Sequence, residues 1–508
     1  MNEENAYNLI DEPWIPVLMQ DGKKNKSVSL REVFSDTHGN IADLALNPYE
    51  RVAVFRLLLC IAQAALGPER LKDERAWRAA KDAVGTVSSE YLKKWHHRFF
   101  LYGPHAFLQP DDVVAVNETS YKPHSTLVFE LASGNNSTLF DHAATDPSRL
   151  ISQSALTIGF LVYQNFSANG LSGKCLWSGT ETEKSVKGAP CREQSMLFAL
   201  LRGNSIIESV WLNLMTCEQV ENDLKAEWGC PAWELTSLSR SDSDKLPGTF
   251  LGHLAPLSRS IKFEKGSTKC ILGGGLVYPP LPYWREPTAS VTMKDDGSLT
   301  YISANPSRMP WRDLTSILSV HSTSSCKGAL ALRHIESLQE EDNFSIWTGG
   351  IKWEPRQAKL IDTVEWFATL SVSMIDDLPL QRYESAIKRA ESQKSNLRHA
   401  AKVYAGVLKV DDASRYYQPA EKVYWDVLAQ PGNQKLVLDV DSPTYKDDWK
   451  KATRKAAEEA YRRACPAVTA RQMEAYAQGF AKLWVSDGKK DKAAEGTDSE
   501  QDEGGDNV

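Results

Sequence analysis

The sequence predicts an α+β fold, in which a large mixed N-terminal domain with small sheets and helices is followed by a C-terminal four-helix bundle. Three observations predict it. The chain has 508 residues, too many for one ordinary core. Residues 1–355 mix short apolar segments with turns rich in glycine and proline, whereas helical spacing dominates residues 356–485. Residues 486–508 hold eight acidic and three basic residues, and this composition predicts a disordered acidic tail.

Composition and charge narrow the class of protein. Hydrophobic residues make up 42% of the chain and charged residues 25%, as in folded globular proteins. The net charge of −7 argues against a free-standing nucleic-acid binder, but the tail carries −5 of it, so local basic patches can lie on a near-neutral body. No uninterrupted apolar stretch approaches the roughly 20 residues that span a bilayer. With a polar start that lacks a secretory pattern, the chain is expected to be cytoplasmic and to bind no membrane.

The familiar catalytic motifs do not occur in the sequence. It contains no phosphate-binding G-x-x-x-x-G-K-[ST] loop, no H-E-x-x-H helix, no G-x-S-x-G elbow and no C-x-x-C pair among its eight cysteines. The paired carboxylates Asp376–Asp377 and Asp411–Asp412 fall at predicted helix junctions, where aspartate commonly caps a helix. We therefore expect a protein that is not an enzyme, with no cofactor and no metal site, although an unrecognised hydrolase remains an alternative.

The first element is the decapeptide Asn8–Val17. Pro13 and Pro16 cannot both lie inside one helix, because each lacks an amide donor and favours extended geometry in the residue before it. The segment therefore predicts a short edge strand held to the core by Trp14. Alternation over Ser27–Leu30 predicts a second strand of the same small sheet.

A helix is indicated next. Asn47 is a good N-cap, Pro48 suits the first helical position, and an apolar stripe continues to Gly67. Further patterns predict helices over 76–84, 88–99 and 149–166, and a strand over 126–131.

The C-terminal part reads as helical throughout. Leu360, Val364, Phe367, Leu370 and Met374 are spaced for one helix face. Helical patterns continue over 380–408, 413–429, 443–464 and 467–484. Antiparallel helices joined by short loops form a bundle, and we place the domain boundary near residue 355.

Three polar loops are candidates for nucleic-acid contact. The first, residues 133–142, carries Asn135, Asn136, Phe140 and His142. Amides can read base edges and an aromatic ring can stack on a base, so this loop suits RNA or single-strand contact. An inward-packing Phe140 in an ordinary loop is the alternative.

The second loop combines glycines with one cation. It consists of Asn169, Gly170, Leu171, Ser172, Gly173 and Lys174. Glycine lets a backbone approach a ligand closely, as a DNA minor groove requires. A simple turn would use the same residues.

The third loop runs from Gly349 to Lys359. Gly349 and Gly350 read as a flexible pair, followed by a tip with Lys352, Gln357 and Ala358. A side chain projected from such a tip could wedge into a base step and start strand separation. A polar interdomain linker is compatible with the same residues.

A run of bases follows in one helical span: Arg382, Lys388, Arg389, Lys394, Arg398 and Lys402. Such a run is usually a solvated helix face. A surface that follows the DNA backbone would use the same residues, and its binding would weaken with salt.

The decapeptide, the three loops in this order and the terminal helical region together resemble the CasA family across nearly the whole chain. CasA is the large subunit of the type I-E CRISPR surveillance complex Cascade. The decapeptide is the specific part of the resemblance, and the loops match in position and character.

The resemblance implies roles for the loops. The large subunit would read the motif beside the protospacer from the minor groove, using a glycine loop, a lysine finger and a glutamine wedge. The glycine loop maps to Asn169–Lys174 and the wedge to Gln357 and Ala358 behind Gly349–Gly350, with Lys269 as the candidate finger. Phe140 matches the phenylalanine that anchors the subunit near the 5′ end of the CRISPR RNA. The chain departs from the family in having His142 where an amide is expected and in lacking a run of consecutive glycines in the glycine loop.

The predicted function follows from the resemblance. The chain would recognise the flanking motif of double-stranded target DNA, nucleate the R-loop and help recruit the helicase-nuclease, while guide RNA supplies sequence specificity. The implied partners are the other Cascade subunits, CRISPR RNA, target DNA and that helicase-nuclease. A purely structural scaffold of a ribonucleoprotein, without DNA reading, is the alternative.

Overall fold

A computed structural model describes residues 7–22, 26–131, 150–319, 326–338, 342–354 and 360–484. Its strands are β1 Ile15–Met19, β2 Lys26–Val28, β3 Ile41–Leu44, β4 Val114–Ala115, β5 Tyr121–Pro123, β6 Gly170–Leu171, β7 Cys175–Trp177, β8 Thr180–Glu181, β9 Ser185–Val186, β10 Leu197–Arg202, β11 Arg259–Phe263, β12 Lys269–Gly274, β13 Val291–Met293, β14 Leu299–Tyr301, β15 Cys326–Lys327, β16 Asn343–Trp353 and β17 Leu360–Ser371. They form small sheets with the orders β2-β1-β3, β4-β7-β8, β11-β12-β5, β10-β16-β17 and β14-β13-β15, and the two-stranded ribbon β6-β9.

The helices are α1 Leu30–Phe34, α2 Pro48–Arg70, α3 Glu74–Ala79, α4 Val84–Trp95, α5 Gln153–Phe166, α6 Ile206–Leu212, α7 Cys217–Gln219, α8 Arg240–Ser243, α9 Phe250–Leu254, α10 Leu314–Ile317, α11 Asp377–Val407, α12 Ser414–Leu428, α13 Pro431–Leu438, α14 Tyr445–Ala464 and α15 Ala470–Phe480. The predicted α+β class is confirmed, with strands confined to the first part and long helices in the last.

The N-terminal decapeptide leads into the first sheet. Trp14 is fully buried and its indole N–H donates to the Leu9 carbonyl at 2.8 Å, as expected of an anchor. The prediction of an edge strand is wrong, because β1 pairs with β2 on one side and β3 on the other. Pro16 provides no amide donor to this sheet, but its carbonyl accepts from the Ala45 amide at 2.9 Å.

Helix α2 forms the centre of the first part, and its predicted start at Asn47 is confirmed by a capping box with Glu50. Gly67, at φ +71°, breaks the helical geometry near its end. By length and composition alone α2 could cross a bilayer, but 72% of its most apolar 18-residue window is buried inside the protein, as in a core helix. Its Arg56 is fully buried and pairs with Glu286, which ties α2 to a distant loop.

Two local predictions are wrong. Residues 124–127 form a 3₁₀ turn against α5, not a strand, and Gly159 of α5 leaves room for the Leu127 carbonyl. Residues 360–371 form β17, not a helix, and pair antiparallel with β16 from Trp353 to Asn343. The apolar spacing fits a helix face, but the β-branched and aromatic residues of this segment favour the strand that the long partner β16 makes available.

The chain folds into two compact units, of which the first ends at Ile375 and the second begins at Asp376. The expected boundary near residue 355 thus falls within the first unit, because the β16–β17 hairpin belongs to it.

The second unit is a helical bundle built on α11, α12, α14 and α15, with the short α13 between α12 and α14. Buried alanines bring the helices close together, and large side chains reach backbone carbonyls between them. The Trp449 indole donates to the Ala386 carbonyl at 2.8 Å, and the Tyr424 hydroxyl donates to the Ala390 carbonyl at 2.9 Å.

Candidate nucleic-acid interface

The predicted glycine loop is part of an ordered ribbon. Gly170 and Leu171 form β6 and pair with Val186 and Ser185 of β9. Gly170 has φ +138°, a conformation that side chains with a Cβ rarely adopt, so glycine is required there. Leu171 is 79% exposed. The ribbon therefore presents glycine and one apolar side chain to solvent.

A buried arginine holds the two chain segments together at one end of this ribbon. The Arg259 guanidinium donates to the carbonyls of Ala168, at 2.5 Å, and Lys187, at 2.9 Å, one on each side of the β6–β9 pair. It also donates to the Ser258 carbonyl. The side chain is 3% exposed, and burial lowers the pKa of its guanidinium. Because its acceptors are neutral carbonyls, this charge adds a positive potential beneath the ribbon.

The end of the loop packs against the glycine triplet 273–275 at the end of β12. Gly173 forms a parallel bridge with Gly273. A Cβ on Gly173 would lie 2.7 Å from the Leu272 carbonyl and 3.0 Å from the Thr119 carbonyl, and a Cβ on Gly273 would collide with the Cys175 sulfur. Close packing therefore requires glycine at both positions, whether or not these residues contact DNA.

A cleft opens beside the ribbon, with a volume of about 890 Å³; we call it the ribbon cleft. Its wall is formed by Asn169, 187–190, 192–195, 277–280, Lys294, Thr300, Ser303 and 352–354. The cations Lys187, Arg192, Lys294 and Lys352 line it, against the carboxylates Glu193 and Glu354. The cleft thus places the first residue of the glycine loop and the start of the predicted wedge loop around one cationic depression.

In the lining of the ribbon cleft, an arginine side chain stacks on a tryptophan ring. The Arg192 guanidinium lies 3.9 Å from the ring centre of Trp353, the last residue of β16. Burial, followed by the nearby charge of Arg259, lowers the pKa of Arg192 to about 10, so it stays charged at neutral pH. The Ser195 hydroxyl accepts from the Trp353 amide at 3.2 Å, which fixes the end of the hairpin to the cleft wall.

Lys174, the cation of the glycine loop, is not free. Its ammonium pairs with Glu181 of β8, and this contact raises the pKa of Lys174. Both side chains are nearly half exposed. An exposed pair of this kind is weak, so Lys174 can exchange its carboxylate partner for a phosphate.

Lys269, the candidate finger, lies elsewhere. It begins β12 and pairs with Pro123 of β5, whereas Gly273 at the other end of β12 meets the glycine loop. Four strand residues separate the two ends by about 13 Å. The exposed Lys269 side chain does not line the ribbon cleft.

The glycine pair of the predicted wedge loop is rigid. Gly349 and Gly350 lie inside β16, paired on one side with Phe198 and Leu197 and on the other with Glu365 and Val364. The expectation of a flexible pair is wrong, because both residues are buried in the central strand of a three-stranded sheet. Lys352, two residues before the end of the described segment 342–354, is half-buried. Gln357 and Ala358 lie outside the described residues.

The bases of α11 do not form one surface. Arg382, Lys388 and Arg389 line a groove of about 700 Å³ between α11 and α14. Lys394 pairs with Glu391 at 2.8 Å. Arg398 and Lys402 lie against the Tyr417 ring of α12, and Arg398 also pairs with Glu421. Lys394, Arg398 and Lys402 therefore fit the interpretation of a solvated helix face.

Two sets of cations were missed in the sequence. Lys187, Arg192 and Lys294 come from separate turns and meet only in the folded chain. Lys446, Lys450 and Arg454 of α14 line the groove opposite the α11 bases, and their spacing of four residues, which places them on one helix face, was a readable signal.

The remaining predicted residues belong to the first polar loop and to the paired carboxylates. Asn135, Asn136, Phe140 and His142 lie outside the described residues. The paired carboxylates are at helix starts, where Asp376 is the N-cap of α11 and Asp412 accepts from the Ser414 amide at 2.9 Å.

Comparison with known proteins gives a consistent result. The family model of CRISPR-associated protein Cse1 matches residues 8–460. A CRISPR-associated protein CasA/Cse1 of Thermus thermophilus is 29% identical over an alignment of 511 residues that covers 94% of this chain and 97% of that protein. Among solved structures, Thermobifida fusca Cse1 is similar with a TM-score of 0.80 at 18% identity, covering 95% of this chain and 98% of that one. A chain of a CRISPR RNA-guided surveillance complex has a TM-score of 0.74 at 16% identity, covering 94% and 99%.

Proposed function

Because the chain belongs to the CRISPR-associated Cse1 family, we propose that it is the non-catalytic large subunit of a type I-E Cascade complex. In this role it recognises the motif beside the protospacer in double-stranded DNA from the minor groove, nucleates the R-loop and helps recruit the helicase-nuclease. Guide RNA pairing supplies the sequence specificity, as in other RNA-guided systems.

The observation that carries this proposal is the ribbon cleft. It places Asn169 of the glycine ribbon, the end of the β16 hairpin arm and four cations around a single depression. Phosphate contacts from lysine and arginine position a protein on duplex DNA, and a close backbone approach suits the minor groove. The ribbon has no bulky side chain at Gly170, and among the described residues the Arg259 guanidinium beside it donates to backbone carbonyls and has no carboxylate partner.

The partners follow from the relatives. The chain of the surveillance complex that this protein resembles works with a guide RNA, as its name states. We extend that assembly to this chain, with other Cascade subunits and CRISPR RNA as partners, and keep residues 133–142 as the RNA-anchoring loop.

Photocrosslinking tests DNA reading against a scaffold role. A benzoylphenylalanine replaces Leu171, which is 79% exposed, in the complex assembled with guide RNA and a target duplex. We expect a crosslink to the flank of the duplex. The matched control places the same group at Val468, which is 78% exposed in the bundle and should give little flank product. A scaffold would give no flank crosslink from either position.

Two substitutions separate binding from opening. Lys174→Ala should weaken flank binding because a phosphate contact is removed, whereas Gln357→Ala should impair strand opening more than duplex binding. Permanganate reactivity of unpaired thymines measures opening, and a mobility shift with a duplex measures binding. Unchanged R-loop formation in both variants would refute these assignments.

A further inference from the structure

The α11–α14 groove of the C-terminal unit carries a concentrated positive charge. Arg382, Lys388 and Arg389 of α11 face Lys446, Lys450 and Arg454 of α14, and the lining residues include no carboxylate. In the part of the chain that the structure describes, Lys446 and Lys450 have no ion-pair partner. Asp441 pairs with Arg382 at 3.4 Å and Glu384 pairs with Lys388 at 2.7 Å, both from outside the lining, so the excess positive charge lies on the α14 side of the groove. That side favours an anionic occupant.

The described chain ends at the mouth of this groove. The Leu483 carbonyl accepts from the side-chain amide of Gln393, a lining residue, at 3.2 Å. The Trp484 ring lies 5.4 Å from the guanidinium of Arg454, another lining residue. Whatever follows Trp484 therefore starts beside the cations.

The sequence that follows has the complementary charge. Residues 486–508 carry a net charge of −5, and the stretch 495–506 holds six acidic residues and no basic one. From Leu378 to Asn396 the groove follows α11 for about 27 Å, at 1.5 Å per residue. The eleven residues from Trp484 to Glu495 reach at most about 40 Å when extended, so the acidic stretch can lie along the whole groove.

We infer that residues 486–508 bind in the α11–α14 groove as an acidic peptide, an intramolecular occupant that excludes other polyanions from this surface. Tethering gives the tail an effective concentration of about a millimolar, so even a weak charge-based contact is occupied most of the time. The inference concerns the second unit alone and does not depend on the proposed DNA reading.

The test uses a fluorescein-labelled peptide of residues 486–508 and two forms of the protein, the full chain and a chain that stops after Val485. By fluorescence anisotropy the shortened chain should bind the peptide, with affinity that falls as sodium chloride is raised. The full chain should bind it about tenfold more weakly, because its own tail competes. Equal affinities of the two forms would overturn the inference.

A matched pair of variants assigns the site. Lys446→Glu with Lys450→Glu in the shortened chain should abolish peptide binding, whereas Lys451→Glu with Lys455→Glu, the same charge change on α14 outside the groove, should leave it intact. Equal losses in both variants would show a non-specific charge effect and overturn the assignment.

A second measurement needs no substitution. Carbodiimide treatment of the intact full chain should join tail carboxylates to Lys446 or Lys450 more often than to Lys451 or Lys455. If a labelled thymidine oligonucleotide binds the shortened chain through the groove while the peptide does not, the groove is a nucleic-acid site and the inference is wrong.

Discussion

Neutralising the ribbon cleft should remove a defined part of the salt dependence of DNA binding. The perturbation is the triple variant Lys187→Ala, Lys294→Ala and Lys352→Ala. These lysines line the cleft beside Asn169, whereas Arg192 is left in place because it supports Trp353. The substitutions shorten exposed or half-buried side chains, so the fold should be retained.

The magnitude follows from counterion release. Each phosphate neutralised on duplex DNA contributes about 0.9 to the slope of log affinity against log salt. Three contacts therefore account for a slope of about 2.7. Each contact raises the affinity at 0.15 M salt about fivefold above the affinity at 1 M salt. The triple variant should bind the duplex on the order of 100-fold more weakly at that salt concentration.

The assay measures the binding of a labelled target duplex to the assembled complex by fluorescence anisotropy. Potassium chloride is varied from about 0.05 to about 0.3 M, because affinity that depends on phosphate contacts changes steeply over this range. The matched control replaces Lys72, Lys94 and Lys245, exposed lysines of the same unit outside the cleft, with alanine. A slope that is unchanged in the cleft variant, or reduced equally in the control, would refute the cleft as the duplex-binding surface.

Four further outcomes are expected. Glu181→Gln removes the carboxylate that competes with phosphate for Lys174 and should strengthen flank binding, and an unchanged affinity in mobility shifts would contradict a phosphate role for this lysine. Gly173→Ala places a Cβ 2.7 Å from a backbone carbonyl and should lower the unfolding free energy by about 1–3 kcal/mol in urea titrations. Arg259→Met leaves the Ala168 and Lys187 carbonyls, on the two strands at one end of the ribbon, without their donor and should cost about 2 kcal/mol of stability; Arg259→Lys should cost less, and an equal loss in both variants would argue against the two-pronged guanidinium contact. Burial lowers the pKa of His334 to about 4, below its unfolded value of about 6.5, so the unfolded state binds more protons between these values and His334 should contribute about 2 kcal/mol to the loss of stability from pH 7.5 to 5; a loss of the same size in His334→Gln, measured by urea titration, would show that other groups are responsible.

The residues that line the ribbon cleft could be only partly predicted from the sequence. Asn169 and Lys352 were chosen from separate loops on composition, and the fold brings both to the ribbon cleft. Lys269, which the family resemblance suggested as the finger, lies at the far end of β12. The difference is one of strand register, which depends on pairing with β5 and β11 and is not encoded in the composition of the loop.

Family and fold class were determined by the sequence alone. Some signals act over only a few residues, and the structure keeps the features they predict. They are the N-cap at Asn47, the proline spacing around Trp14 and the helical periodicity after residue 380. The α+β class and the terminal bundle follow from their sum.

Tertiary structure decided what the local signals left open. Residues 360–371 became a strand because β16 offers an eleven-residue partner, and Gly349–Gly350 became rigid for the same reason. Cations from segments far apart in the chain meet in one cleft, and those of α11 separate into a groove face and a solvated face. Pairing energy and electrostatic focusing depend on distances in space, and these are fixed only when the whole chain has folded.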